Sequence, residues 1–128
     1  MSTLEQLGGE KYVSLTTFRR SGAAVPTAVW AVHDGDALLV VTNAASGKVT
    51  RLRHTTRVTL TPCDVRGRTA DDPEVTEAHA VVVEDPAELR RLQGLLNEKY
   101  GLAARLVALG GKLRPGSSTV EVRITPAG

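Results

Sequence analysis

The residues with the clearest chemical capacity are Ser46-Gly47-Lys48-Val49-Thr50-Arg51-Leu52-Arg53. Lys48 and Arg51 stand three apart. On a helix they share a face and can clamp one anionic group between them. Ser46 is placed to cap that helix, its hydroxyl accepting from a free backbone N–H. The free N–H groups and partial positive charge of a helix start suit phosphate, and Gly47 would allow close approach to the backbone. The Gly-x-x-x-x-Gly-Lys spacing of a P-loop is absent. The competing reading is a basic helix face turned to solvent.

Other reactive residues form no comparable set. His33, His54 and His79 are far apart in the sequence, and a metal site is not expected from them. His79, on a predicted strand, reads as a partly buried structural residue. Cys63 is the only cysteine. It cannot form an internal disulfide, and it reads as a small half-buried hydrophobe. Asp71, Asp72 and Glu74 read as a solvated loop. No Ser/His/Asp arrangement stands out, so no catalytic residue is assigned.

Charge is distributed unevenly around this stretch. The 128 residues carry 16 basic and 14 acidic side chains. No acid falls between Asp36 and Asp64, a window that holds Lys48, Arg51, Arg53 and Arg57. A local positive field in a balanced chain points to one anionic site and not to a nucleic-acid coat. Aromatics are only 3%, too few for stacking bases. No apolar run reaches membrane-spanning length. The polar first ten residues lack a signal-peptide pattern, and a reducing cytoplasm is the expected setting.

The elements that must position these residues follow from periodicity. Lys11–Phe18, Ala24–His33, Ala37–Asn43, Arg57–Pro62, Glu74–Glu84 and Thr119–Thr125 read as strands. Pro26 implies an edge or a bulge, and Asp34-Gly35-Asp36 a hairpin turn. Leu38, Leu39, Val40 and Val41 lack alternation, so both faces of that strand should be covered. Val49 and Leu52 give the short basic helix one apolar stripe. Asp85-Pro86-Ala87-Glu88 opens a helix with a capping-box-like pattern, continued by Leu89, Leu92, Leu96 and Tyr100. Gly101 ends or bends it, and Leu102–Leu109 reads as a further short helix. Consecutive strands with short links predict one α+β domain, an antiparallel barrel with a few helices.

Three segments together resemble the split-barrel superfamily of pyridoxamine 5′-phosphate oxidase, and more narrowly its small actinobacterial members assigned to the deazaflavin coenzyme F420. They are Tyr12–Phe18 with Val25–Trp30, Leu39–Asn43 running through Ser46–Arg53 to Val58, and the late Asp85-Pro86 helix with a second helix and the closing strand. The resemblance spans about residues 10–125. It implies a homodimer with a cofactor in the groove between chains. By position, Lys48 and Arg51 match the phosphate-binding helix, with Ser46 as a neighbouring donor. Pro26, Thr27 and Ala28 match the strand whose backbone lines the ring system. Val41, Thr42 and Asn43 match the strand leading to the helix. Where the family has an Asn/Asp-Pro-Arg-Val-like turn, this chain has His54-Thr55-Thr56-Arg57-Val58. The C-terminal Trp and substrate-binding Arg of the vitamin B6 oxidases have no counterpart here, so a B6 substrate is not expected.

The function expected from this resemblance is hydride transfer between F420 and a small organic substrate, with FMN as the alternative cofactor. No dedicated acid or base is then obligatory, because the cofactor carries the chemistry. A non-catalytic cofactor-binding protein is the rival from another class. A nucleic-acid-binding barrel is disfavoured by the aromatic count and the charge balance.

Overall fold

The computed structural model describes residues 3–101 and 119–127. The elements are α1 (Thr3–Leu7), β1 (Tyr12–Phe18), β2 (Ala24–Val29), β3 (Ala31–Asp34), β4 (Ala37–Asn43), α2 (Gly47–Leu52), β5 (Arg57–Cys63), β6 (Thr76–Val83), α3 (Pro86–Tyr100) and β7 (Thr119–Pro126). The strands form one seven-stranded sheet in the order β2-β1-β5-β6-β7-β4-β3. Every ladder is antiparallel.

The order itself shows that the sheet is rolled. β2 and β3 lie at opposite ends of the order, yet only Trp30 separates them in the chain. The two ends must therefore meet. The strand predicted over Ala24–His33 is thus two strands with a bend at Trp30. Tertiary contacts make the bend. The Tyr100 hydroxyl donates to the Lys11 carbonyl at 2.8 Å and accepts from the Ala31 amide at 3.2 Å. Its ring stacks on Trp30 at 4.3 Å, and Lys99 donates to the carbonyls of Glu10 and Ala31.

The prolines sit where a missing N–H is tolerated. Pro26 is on edge strand β2, opposite Thr16. Pro62 is in β5 beyond Leu60, the last residue of its pairing with β6.

Two apolar clusters lie on the two faces of β4. Leu38 and Val40 face the barrel core with Val13, Leu15, Leu60, Val122 and Ile124. Leu39 packs on the other side with Val32, Leu92 and Leu96, under α3. The missing alternation of that strand has this origin. Leu4 and Leu7 of α1 are buried in the barrel cluster, so the polar N-terminal segment contains an element that its composition does not announce.

Two caps differ from expectation. Asp85 occupies the N-cap of α3 with Pro86 behind it, but its side chain makes no capping hydrogen bond. Glu88 also does not reach back. It accepts from Arg91 and from Arg123 of β7, while Arg91 also binds Asp34 at 2.8 Å. These ion pairs tie α3 to β3 and β7. The fifth predicted strand, Glu74–Glu84, is observed as β6 and is shorter at both ends. α3 ends at Tyr100 with Gly101 at φ 63°. The expected helix over Leu102–Leu109 lies outside the described residues.

Candidate functional site

α2 follows β4 through a turn tied by Asn43. Its side-chain Oδ1 accepts from the Ala45 amide at 2.8 Å, and its carbonyl accepts from the Ser46 amide at 3.0 Å. Val49 and Leu52 bury the apolar side of the helix, as their spacing predicts. Ser46 has the extended backbone of an N-cap, but its hydroxyl does not cap. It lies 3.4 Å from the Thr42 hydroxyl instead. Its expected role as a capping acceptor is replaced by a link between helix start and strand end. Val41 is half-buried against the α3 cluster.

The two cations of α2 are held differently. Arg51 donates from Nε to the hydroxyl of buried Thr17 on β1 at 2.6 Å. Its guanidinium lies over Gly47, where an added Cβ would come within 2.6 Å of Nη1. Gly47 therefore serves the close approach of Arg51 to the backbone. Lys48 is half-buried, and its ammonium is held below the usual lysine range by burial and then by the charge of Arg51.

The four basic side chains of the acid-free window do not behave alike. Arg53 lies 3.5 Å from Glu84, and Arg57 lies 3.0 Å from Glu77. Among the described residues, neither Lys48 nor Arg51 has an acidic partner. The half-buried cations are thus the uncompensated ones, opposite to what a solvated basic face would show.

Pro26, Thr27 and Ala28 lie on β2, paired with Thr16, Leu15 and Ser14 of β1. β2 has a strand partner on one side only, so part of its backbone N–H and C=O groups face no strand. Among the described residues, no hydrogen bond or ion pair links these three residues to Lys48. The connection runs through Arg51 to Thr17, which pairs with Val25. Thr17 is the contributor that sequence reasoning missed. A buried threonine in a strand carries no signal until its partner is known.

The histidines stay apart. His33 is on β3 beside α1, His54 is exposed after α2, and His79 on β6 is exposed, with its Nδ1 3.2 Å from the Thr56 hydroxyl. The expectation that His79 is partly buried is corrected: it alternates outward between buried Ala78 and Ala80. No cluster among the described residues has the composition of a metal site. Cys63 is half-buried, and burial pushes its thiol up.

A rolled antiparallel sheet with a basic helix after its fourth strand defines the split-barrel class. Within that class the match is specific: residues 3–127 fit the family model described as pyridoxamine 5′-phosphate oxidase, and the chain belongs to that family. Among solved structures it is similar to the conserved hypothetical protein Rv2991 from Mycobacterium tuberculosis, at 25% identity and a TM-score of 0.73 over 100% of this chain and 82% of that one. It also resembles HutZ, a heme storage protein from Vibrio cholerae, at 15% identity and TM-score 0.69 over 98% and 86% of the two chains. A structure named F420 reductase matches at 22% identity and TM-score 0.63 over 100% and 96%. No curated protein matches. The family is largely one of oxidoreductases, with flavin- and F420-binding members and heme-binding ones. Among the described residues no helix is long and apolar enough to cross a membrane.

Proposed function

We propose that this protein is an F420-dependent oxidoreductase that passes hydride between the deazaflavin and a small organic substrate. The observation that carries the reading is the pair Lys48 and Arg51, half-buried side by side with no acidic partner among the described residues. Two uncompensated cations at one place fit a phosphate group, whose charge would offset both their repulsion and the burial of Lys48. The reading rests on these side chains and not on a helix dipole, because α2 has only six residues.

When bound, the deazaflavin supplies the hydride chemistry. The protein then has three tasks. Lys48 and Arg51 hold the phosphate, with the Ser46 and Thr42 hydroxyls beside them. The open edge of β2 at Pro26, Thr27 and Ala28 offers backbone groups to the polar rim of a ring. A second copy of the chain closes the groove and keeps water from the ring. The apolar runs Ala24–Val32 and Ala37–Val41 supply material for that interface. Because α3 of the same chain covers Leu39 and Val41 of β4, the surface left for pairing is centred on β2. Light scattering should report about twice 13.6 kDa.

The test is a fluorescence titration of purified protein with F420 and, separately, with FMN. Uptake of F420 with Lys48-dependent affinity supports the reading. Protein that purifies yellow with flavin emission moves the assignment to FMN. Failure to take up either removes it. The likeness to HutZ favours one second reading, a protein that binds a cofactor without turnover. Reduction of an electron acceptor by the loaded protein separates enzyme from binder.

A further inference from the structure

A second basic feature lies apart from the residues assigned to the cofactor. The β1–β2 hairpin, the segment after α2 and the start of β5 enclose a groove of about 460 Å³. Phe18, Arg19, Arg20, His54, Thr55 and Arg57 line it, and no acid among the described residues does. Its volume is that of a small-molecule site and much larger than one simple ion needs.

The groove is built, not merely charged. Gly22 at φ 91° makes the hairpin turn, donating from its amide to the Arg19 carbonyl at 2.8 Å, and the Arg19 amide donates to the Ala23 carbonyl at 3.0 Å. This fixes where Arg19 and Arg20 leave the backbone. Arg20 Nε and Nη2 lie 3.3 and 3.2 Å from His54 Nδ1. Arginine can only donate, so Nδ1 accepts in this contact. Arg20 is thus oriented without an acidic partner among the described residues. Arg57 is held over the Phe18 ring at 4.4 Å and paired with Glu77. The amides of His54 and Thr55 both donate to the Arg51 carbonyl at 3.1 Å, which anchors the far wall to α2.

Three arginines therefore line one concavity, and among the described residues only Arg57 is paired with an acid. Planar guanidinium forks match phosphate and carboxylate oxygens. We propose that this groove binds a small polyanion bearing phosphate or carboxylate groups, at a site separate from Lys48. The proposal stands independently of the cofactor reading.

Calorimetric titration of the full chain at low salt, with pyrophosphate and separately with tricarballylate, tests it. Saturable binding of at least one probe is expected to include one site per chain that persists in Lys48→Met. The double variant Arg19→Ser, Arg20→Ser should weaken it by about tenfold or more, whereas Lys48→Met should leave it within about threefold. Both arginines are exposed, and an unchanged melting temperature verifies that the double variant is folded. Preference between the probes assigns phosphate or carboxylate. The proposal is overturned if neither probe saturates below about 10 mM, if the double variant binds like wild type, or if binding follows Lys48→Met.

Discussion

Lys48→Met separates a phosphate ligand from a solvated helix residue. Methionine keeps an unbranched side chain and removes the charge. Losing one charge-assisted contact to phosphate costs about 1.5–3 kcal/mol, so cofactor affinity should fall by roughly 10- to 100-fold. Stability should move the other way. Lys48 is half-buried beside Arg51 with no acidic partner among the described residues, so its removal relieves both burial of a charge and like-charge repulsion. The melting temperature should hold or rise by about 1–2 °C. The pH dependence gives a third signature. In the free protein the Lys48 ammonium titrates below the ordinary lysine value. A bound phosphate favours the charged form and pulls that value back up, so binding takes up a proton. Affinity should therefore fall as pH rises through the free-state value, and Lys48→Met should lose that part of the slope. Fluorescence titration with cofactor at neutral and alkaline pH, beside thermal melts, reads all three. Equal affinities within about threefold, or an affinity loss matched by a falling melting temperature, would refute the reasoning.

Tyr100→Phe keeps the stack on Trp30 but removes the hydroxyl that bonds Lys11 and Ala31, and should cost about 1–2 kcal/mol in urea unfolding. Glu121 is fully buried, neither of its oxygens has a hydrogen-bond partner among the described residues, and Arg123 Nε lies 3.4 Å away. Burial raises its carboxyl above the usual glutamate value, so the folded state binds this proton more tightly, and its contribution to stability declines as pH rises through the folded value. Glu121→Met should therefore stabilise at neutral pH by about 1 kcal/mol, with a smaller gain at pH about 4.5, measured as urea midpoints across that range. Gly8→Ala would drive a Cβ to 2.4 Å from His33 Cβ, where β3 meets α1, and should cost about 1–3 kcal/mol; an unchanged melting temperature would show that α1 is free to move.

What the sequence could show was local. The run Leu38–Val41 carried its two-sided burial openly, and Asp34-Gly35-Asp36 carried its hairpin, with Gly35 at φ 62°. What it could not show depended on distant partners. The bend at Trp30 is set by Tyr100, 70 positions later, so nothing near Trp30 interrupts the strand pattern. Ser46 and Asp85 stand at helix starts as their types predict, yet Ser46 pairs with Thr42, and Glu88 with the arginines of α3 and β7. Spacing pairs Lys48 with Arg51, but nothing local shows that Arg53 and Arg57 are the neutralised cations of the four. The carboxylates of Glu77 and Glu84, at and just beyond β6, divide them into neutralised and free. α1 rests on only two leucines, three apart, too few to stand out as a periodic signal.

The placement of the free pair follows from the burial of the other pair. α2 has six residues, too few to persist alone in water. It forms because Val49 and Leu52, 2% and 5% exposed, are buried on its inner face. Lys48 and Arg51 each precede one of these residues. The spacing that sends the apolar pair inward therefore sends the basic pair to one adjoining flank, where Arg51 reaches Thr17. A slip of one position in the helix would bury the cations and expose the aliphatic groups, at a cost far above the worth of any anion contact. The barrel core thus sets the geometry of the charged site. Held by Thr17, Arg51 needs no ordering when an anion arrives, so more of its interaction energy is available for binding.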